Sequence, residues 1–450
     1  MSERPYKKVQ AALVGASVPR SGHHFLQSLL AQYYGSELFY CEFYSRPNCC
    51  NAVPCIRGNN CSVTFQKSHD RQGEVRTDAG EALYIIQYRE PVGEALSDRE
   101  LDLNDRLGRK SINYRLSADY YAWWLVHKAG YYRSFHDKWF IPKIANALYL
   151  DYASLAADPG GVLGCIAAKT SGAVSERRIS LAVEEVSAVR AGAVHQKREG
   201  TPFAPRNLEE SPHFDRELLS AFEAYVLERC PEFGFSPRLH GTFRDQPWYG
   251  LVLLQDEREP LPAGETDRLQ AAAARIPDHP EVMLRLAKRA LAEGRISAAI
   301  SAAENLLLRN PFFGPAYRFL LKTCSETGHA ISSQYLTGNA LFACADNSRL
   351  LNDLANAYLD AGMVVSSIAA LSCAVALDPG EFRLNHLLAR TLAEQRVWKQ
   401  AEFHAVTAAE LKPDSKANNR LLSRIRKQKA PARTNEKRSP GEASGAGDAE

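Results

Sequence analysis

The stretch VQAALVGASVPRSGHHFLQSLLAQYY, residues 9–34, indicates the fold class of the N-terminal half of the chain. An apolar run precedes a turn of small residues, and the residues after the turn have the apolar spacing of an amphipathic helix. A strand, a tight turn and a helix start can cradle an anion, because backbone N–H groups and the helix dipole point toward the turn. The cradle of ATPases and GTPases ends in Gly-Lys-Ser/Thr, whereas this turn ends in Ser-Gly-His-His. The stretch therefore predicts an α/β domain whose anion site differs from theirs.

Three further apolar runs have the length of strands, and helical sequence separates them. They are SVTFQKSH at 62–69, ALYIIQYRE at 82–90 and ALYLDY at 147–152. Short apolar strands that alternate with helices are typical of a parallel sheet with crossover helices on its faces. The sequence thus predicts a three-layer α/β domain with a central parallel sheet over residues 1–240.

The C-terminal half of the chain has a different pattern. Residues 241–264 contain several Pro and Gly residues and are interpreted as a linker. Beyond them the sequence repeats every 34 residues, with two amphipathic helical stretches in each unit. The markers of the repeat are Pro277, Pro311, Pro379 and Pro413, with Ala345 at the missing position, and Gly294, Gly328 and Gly362.

This 34-residue period resembles tetratricopeptide repeats, and it predicts an all-α repeat domain over residues 265–428. The expected units are about 278–311, 312–345, 346–379 and 380–413. An ordinary helical domain with chance prolines is the alternative. The tail, residues 429–450, has too few apolar residues to fold and is expected to be disordered.

Composition limits the classes of function. Apolar residues make up 45% of the chain and charged residues 24%, which is typical of a globular protein. The formal net charge of +3 is close to balance, so we expect no broad nucleic-acid surface. No apolar run reaches the roughly 20 residues of a membrane span, and the short apolar run near the N-terminus is better interpreted as a strand than as a signal peptide. The expected location is the cytoplasm.

Polar residues follow the predicted strands at the edge where open α/β sheets bind ligands. These residues are Arg20, Ser21, Gly22, His23, His24 and Phe25 after the first strand, Lys67 and His69 at the second, and Arg89 at the third, with Ser97 in the next helix. A guanidinium and backbone N–H groups suit phosphate or sulfate oxygens, and a histidine can act as a base near neutral pH. Each also has a plain structural interpretation, as a surface arginine or as a hydrogen-bonding histidine at a strand end.

In this order the motifs resemble the sulfotransferases that use 3′-phosphoadenylyl sulfate (PAPS). The segment PRSGHH is similar to the family's 5′-phosphosulfate loop through Gly22, after which His23 and His24 replace the usual hydroxyl residues. The segment KSH is similar to the family's Lys-Thr/Ser-His motif, so the resemblance gives His69 the role of catalytic base. Arg89, followed by Pro91 and Ser97, is similar to the 3′-phosphate site.

Two later segments extend the likeness, which covers about residues 8–237. LYLDYASLAADP at 148–159 is similar to a strand and helix of the family that end in Leu-X-X-Asp-Pro. HQKREGTPFAPRN at 195–207 is similar to the late Arg-Lys-Gly loop, which implies that Arg198 and Gly200 contact the 3′ phosphate. Glu199 stands where that loop usually has lysine.

The resemblance implies a P-loop NTPase-like sulfotransferase fold and an in-line transfer of a sulfuryl group from PAPS to an acceptor hydroxyl, with no metal required. His69 would take the proton of the acceptor, while Arg20 and Lys67 would stabilise the charge that develops. Glycans, lipids, small alcohols and protein tyrosines all offer such a hydroxyl. The repeats would bind a protein or peptide, because repeat arrays present extended binding surfaces.

The alternative function is a scaffold, in which a catalytically inactive sulfotransferase-like domain is fused to a protein-binding repeat domain. The histidines in the loop favour it, whereas KSH, Arg89 and Ser97 favour the enzyme. A P-loop kinase is disfavoured because the chain lacks Gly-Lys-Ser/Thr at this loop.

Half of the ten cysteines lie in one segment, residues 41–61, which is interpreted as an insertion in the α/β domain. They are Cys41, Cys49, Cys50, Cys55 and Cys61. Zinc binding, disulfide or redox pairing, and reduced thiols without a shared role are three open interpretations. The spacing lacks paired Cys-X-X-Cys knuckles, so no metal is assigned.

Overall fold

A computed structural model describes residues 11–42, 49, 51–57, 61–71, 73–78, 80–106, 115–172, 174–195, 207–329, 331, 335 and 338–429. The chain divides into two compact units, Met1–Arg285 and Leu286–Glu450.

The first unit is built on a parallel sheet. Its strands are β1 Ala11–Ser17, β2 Leu38–Glu42, β3 Val63–Ser68, β4 Leu83–Tyr88 and β5 Ala147–Asp151, in the spatial order β2-β3-β1-β4-β5. In this register Gly15 in the central strand lies opposite Lys67 in β3 and Ile85 in β4. The carboxyl ends of β1, β3 and β4 therefore meet at one edge, and the strand order reverses at β1. The predicted central parallel sheet is confirmed.

Helices cover both faces of this sheet. They are α1 His23–Tyr34, α2 Pro91–Arg106, α3 Ala118–Trp139, α4 Tyr152–Ala157, α5 Pro159–Ser171, α6 Glu176–His195, α7 Arg216–Arg229, α8 Pro247–Gln255 and α9 Arg268–Arg275, with α10 Pro280–Ala292 at the boundary of the units. Alternate residues of β1 serve two separate cores. Leu13 packs in the core that holds Leu26 of α1, whereas Val14 belongs to the core that holds Leu96 of α2 and Trp139 of α3.

The expected linker at 241–264 is a folded part of the first unit, so that prediction is wrong. Residues 247–255 form α8, and Trp248 and Leu251 are buried in the same core as α2 and α3. The sequence PWYGLVLLQ is apolar on every side, which is the pattern of a helix buried all round. Its Pro247 occupies the first turn, where a proline is tolerated.

The buried carboxylate of Glu259 joins the segment after α8 to the helices α3 and α7. Glu259 is 1% exposed, and its oxygens accept hydrogen bonds from Arg229 at 2.7 and 2.8 Å and from Arg133 at 2.7 Å. The hydroxyls of Tyr225 and Tyr249 donate to the same carboxylate, each at 3.1 Å. Burial alone raises the pKa of Glu259, but the hydrogen bonds from Arg229 outweigh it and hold the pKa below its usual value.

Three cysteines of the segment 41–61 pack inside the first unit. Cys41 lies in the edge strand β2, opposite Gln66 of β3, and Cys49 and Cys55 are buried in the core of α2 and α3. Cys61 is half-buried, and Cys50 lies outside the described residues. Within the described part of the chain, no group of three or more His, Cys, Asp or Glu residues is arranged to hold a metal ion.

The second unit is an array of helices. They are α11 Ile296–Arg309, α12 Gly314–Thr327, α13 Gly338–Cys344, α14 Ser348–Asp360, α15 Val364–Leu377, α16 Phe382–Glu394, α17 Trp398–Leu411 and α18 Lys416–Lys429. Each predicted unit from 312 onward holds two of these helices, so the 34-residue helical repeat is confirmed. The tail from residue 430 lies outside the described residues.

One turn position explains the glycine spacing. Gly294, Gly328 and Gly362 have φ of 75°, 72° and 73°, a left-handed conformation that glycine adopts without strain. The next position on the same spacing is Arg396, and its φ is 59°. The fourth turn therefore keeps the same backbone although its side chain disfavours that conformation. Among the described helices, none is long and apolar enough to cross a bilayer.

We predict that Glu259→Gln lowers the free energy of unfolding by about 3 kcal/mol, because it removes the buried carboxylate that pairs with both Arg133 and Arg229 and leaves each half-buried guanidinium with only one carboxylate partner. Urea titration followed by tryptophan fluorescence measures the change. Glu257→Gln is the matched control, since the side chain of Glu257 is exposed. An equal loss in both variants would contradict the fastening role of Glu259.

Candidate functional site

The turn between β1 and α1 is held by its own backbone and by β4. The N–H of Val18 donates to the carbonyl of Gln87 at 2.9 Å, and the hydroxyl of Ser21 donates to the carbonyl of Val18 at 2.6 Å. Arg20 and Gly22 have φ of 61° and 84°. A Cβ at Gly22 would lie 2.7 Å from the ring of Tyr152, so only glycine fits this position.

The helix that follows this turn begins without a side-chain cap. Gly22 is the N-cap residue of α1 and has no side chain to accept a hydrogen bond from the first turn, and that turn holds no acidic residue. The first N–H groups of a helix have no partner within the helix, and the helix dipole is positive at this end. The start of α1 can therefore accept an anion.

Three of the predicted site residues meet beside this turn. The Nε of Arg20 donates to the Oγ of Ser97 in α2 at 3.0 Å, and the Nη1 of Arg89 donates to the carbonyl of Arg20 at 3.1 Å. The Arg89 guanidinium lies 4.5 Å from the ring centroid of Tyr152. Its Nε is buried, makes no hydrogen bond within the described ranges and is 3.7 Å from Glu90. The turn, the end of β4 and α2 thus bring two guanidinium groups together.

His69 is joined to the same turn through Ser17. The Nδ1 of His69 is 3.0 Å from the carbonyl oxygen of Ser17 and 3.1 Å from its Oγ, while the hydroxyl of Tyr131 donates to the carbonyls of His69 and Ser17. A carbonyl only accepts, so the proton of the neutral ring is assigned to Nδ1 and the lone pair to Nε2. Burial, reinforced by Lys67, lowers the pKa of His69 to about 4, so the ring is neutral at pH 7.

The two histidines of the loop lie in different surroundings. His23 is 4% exposed, its ring stacks on Phe65 at 5.2 Å, and its nitrogens have the side chain of Gln87 nearby but make no hydrogen bond of normal geometry to the described residues. Burial, followed by the charges of Lys67 and His69, lowers the pKa of His23 well below its usual value. His24 is exposed and lies 3.2 Å from Gln27 on the surface of α1. Of the two rings, the one of His23 is therefore the unsatisfied polar group, while Phe25 is buried in the core beneath it.

Lys67 is tied to a carboxylate. Its side chain is buried, and the Nζ lies 3.2 Å from the Oε1 of Glu42, which is half-exposed at the end of β2. The ammonium is near enough to His23 and His69 to lower the pKa of both. Its positive charge is thus partly neutralised within the sheet edge.

The sequence did not reveal a cluster of charged residues near the site, formed by Glu94, Asp98 and Lys128. Glu94 of α2 is completely buried, and burial raises its pKa to about 7. Lys128 of α3 forms ion pairs with Glu94 and, at 2.8 Å, with Asp98. The only signal in the sequence is the four-residue spacing of Glu94 and Asp98, which places both on one face of α2 beside Ser97.

Two predicted site residues, Arg198 and Gly200, lie outside the described residues, between the end of α6 and residue 207. The described residues of the site therefore come from the turn, the ends of β3 and β4, and α2.

Comparison with known proteins does not identify the chain. No family model matches it, and no curated protein matches it. Among solved structures, MamA is 16% identical over 33% of this chain and 82% of its own, with a TM-score of 0.29. TTC0263, a TPR protein of Thermus thermophilus, is 20% identical over 40% and 90%, with a TM-score of 0.22. The human IFIT1 dimer with PPP-AAAA is 14% identical over 74% and 67%, also at 0.22.

At TM-scores this low, the likenesses support no conclusion about the chain. The repeat assignment rests instead on the helices of the second unit and on their 34-residue period. The evidence for the candidate site is the set of contacts and distances among its own residues.

The buried ring of His23 predicts a pH-dependent stability. Below pH 6.5 this histidine is protonated in the unfolded chain, whereas burial keeps it neutral in the folded chain. The free energy of unfolding therefore falls as the pH is lowered. In His23→Phe this loss disappears, and the free energy of unfolding of the variant should gain about 1–2 kcal/mol relative to the native chain between pH 7 and pH 5. Urea unfolding at a series of pH values measures it.

His24→Phe is the control, because His24 is exposed. Its pH dependence should match that of the native chain. A His23→Phe variant that also follows the native chain would show that the ring accepts a proton in the folded state.

Proposed function

We propose that the first unit binds PAPS and transfers its sulfuryl group in line to the hydroxyl of an acceptor. The carrying observation is the pair of hydrogen bonds that link Arg89 to Arg20 and Arg20 to Ser97 across three elements of the fold. These contacts bring two guanidinium groups and a hydroxyl to the uncapped start of α1. Such a set of donors matches a ligand with two separate anionic groups.

The 5′ end of the donor would be held by the turn. The N–H groups at the start of α1 and the guanidinium of Arg20 would bind its phosphosulfate. The buried ring of His23 has the side chain of Gln87 as a polar neighbour but no hydrogen bond of normal geometry to the described residues, so its N–H could donate to a phosphate oxygen in this proposal. The histidine thereby takes the place of the hydroxyl that the resembled sulfotransferases use.

The 3′ phosphate would be held by Arg89 and Ser97. The Nε of Arg89 is buried and makes no hydrogen bond to the described residues, and the guanidinium is kept in place by the ring of Tyr152 and by its Nη1 bond to Arg20. A guanidinium that is already oriented and still has a free donor loses little side-chain entropy when it binds an anion. Arg198 and Gly200 belong to this proposal only through the family resemblance.

His69 would act as the general base. Its Nδ1 is engaged by Ser17, so the Nε2 lone pair can accept the proton of the acceptor hydroxyl. The donor, when bound, supplies an activated sulfuryl group, and no metal is needed to neutralise it in this proposal. Arg20 and the amides of the turn would stabilise the negative charge.

A second candidate function is an inactive nucleotide-binding domain that serves as a scaffold. The ion pair between Lys67 and Glu42 favours it, because the ammonium is not free to stabilise a leaving group. In the enzyme, Lys67 would have to exchange Glu42 for the ligand. The helical repeats would bind a protein or peptide partner under either proposal.

The decisive experiment offers the full chain PAPS with labelled sulfate and a panel of acceptors: a glycan, a lipid alcohol, a small alcohol and a tyrosine peptide. Transfer of label to any acceptor supports the enzyme. Binding of adenosine 3′,5′-bisphosphate by calorimetry without transfer supports the scaffold. Binding of ATP in preference to both nucleotides would overturn the proposal.

We predict that His69→Ala lowers the turnover number by at least about a hundredfold, because the acceptor proton loses its base. Affinity for adenosine 3′,5′-bisphosphate should stay within about twofold, since in this proposal the phosphates are held by Arg20, His23, Arg89 and the amides of the turn rather than by His69. His24→Ala is the matched control, as its ring is exposed. Sulfate transfer at the native rate by His69→Ala would remove this residue from the mechanism.

We predict that Arg89→Ala weakens binding of adenosine 3′,5′-bisphosphate by about tenfold or more, because a charge-assisted hydrogen bond is lost. Calorimetry measures the dissociation constant. Arg76→Ala is the control, because Arg76 is exposed and pairs with Asp78 away from the turn. Equal affinities of the native chain and Arg89→Ala would contradict the 3′-phosphate site.

A further inference from the structure

The helix α18, with which the described part of the second unit ends, is basic along its whole length. Its sequence KANNRLLSRIRKQK has six Lys and Arg residues and no Asp or Glu. A terminal helix that only keeps a repeat array in solution needs a polar outer face, and a mixture of both charges provides one. A face that carries only positive charge therefore indicates a role for α18 beyond solubility.

The apolar side of α18 is already used. Asn418, Leu421 and Ile425 are buried against the preceding helices. The Nδ2 of Asn418 donates to the carbonyl of Ala405 at 2.8 Å, and its Oδ1 is 3.0 Å from the Nδ1 of His386. These contacts fix which side of the helix faces the solvent.

The opposite side carries four cations, Lys416, Arg420, Arg424 and Lys427, which we call the basic stripe. All four are exposed, and the intervals of four, four and three residues align them along one face over about 16 Å. Within the described part of the chain no carboxylate lies within ion-pair distance of them, whereas Arg426 on another side of α18 pairs with Glu402 at 3.2 Å. Asn419 and Ser423 line the same shallow hollow.

The chemistry of the stripe disfavours a membrane surface and nucleic acids as its partner. A helix that lies on a membrane inserts an apolar face, but the apolar face of α18 is buried in the protein. Single-stranded nucleic acids are usually bound with aromatic side chains, and α18 has none. The net charge of +3 for the whole chain also gives little long-range attraction for a duplex.

An acidic helix fits the stripe because it has the same geometry. Two α-helices share the rise of 1.5 Å per residue, so carboxylates four residues apart on one helix match cations four residues apart on the other. We propose that the basic stripe of α18 binds an acidic helical segment of a partner protein. This interaction is independent of the sulfotransferase proposal.

The test uses the full chain and two fluorescein-labelled peptides of equal composition in an Ala- and Gln-rich helical host. The first peptide has four Glu residues at four-residue spacing, and the second has them at two-residue spacing, which spreads them around the helix. We expect the first peptide to bind, by fluorescence anisotropy, at least about fivefold more tightly than the second, with an affinity that falls as salt is added.

The double variant Arg420→Gln/Arg424→Gln should weaken binding of the first peptide by roughly tenfold. Its matched control is Arg390→Gln/Arg426→Gln, which removes two exposed arginines that already pair with Glu394 and Glu402 and should leave the affinity within about twofold. Circular dichroism confirms that both variants keep the native helix content.

Three results would overturn the proposal. One is equal affinity for the two peptides, and another is equal affinity of the native chain and the Arg420→Gln/Arg424→Gln variant. The third is tighter binding, through the stripe, of phosphatidylserine vesicles, a 20-nucleotide DNA strand or heparin. That result would assign the stripe to a lipid, nucleic-acid or polysaccharide partner instead.

Discussion

The geometry of the first unit depends on the backbone of one turn. At Gly22 the chain has φ of 84° and passes so close to the ring of Tyr152 that a side chain would collide with it. This conformation lets the chain leave the central strand and start α1 at the sheet edge, with its first N–H groups uncapped by any side chain. Because β1 lies between β3 and β4, the same edge receives His69 from one neighbour and Arg89 from the other. Without this turn the groups of the site would not share a surface.

The charged groups at this edge differ in how far they are neutralised. Arg20 and Arg89 donate to neutral acceptors, the hydroxyl of Ser97 and the carbonyl of Arg20. The two histidines are neutral because burial lowers their pKa values, and Glu42 partly neutralises the ammonium of Lys67. Lys128 forms ion pairs with Glu94 and Asp98. Apart from the two guanidinium groups, the charge of the site is thus paired or neutral within the protein, which lowers the cost of burying it.

Much of this arrangement can be predicted from the sequence, and the reason is topological. The apolar runs that hold β1, β3, β4 and β5 are long enough to recognise, and parallel strands bring their following residues to one edge. The edge strand β2 is missed because it is short and runs into a cysteine-containing segment. The helix α8 is missed because proline and glycine near it suggest a linker, although its own residues are apolar on all sides. The role of Glu94 is missed because a sequence does not tell which carboxylates are buried.

The position of α8 determines how long an N-terminal fragment must be to fold on its own. The strands and helices that carry the site end before residue 240, yet Trp248 and Leu251 complete the core beneath α2 and α3. Glu259, further along, neutralises two arginines that belong to α3 and α7. A fragment cut at the end of the recognisable α/β sequence would expose an apolar surface, and it would remove both carboxylate partners of Arg133 and one of the two partners of Arg229. An N-terminal fragment that folds on its own must therefore include residues 241–264, the segment that the sequence suggests to be a linker.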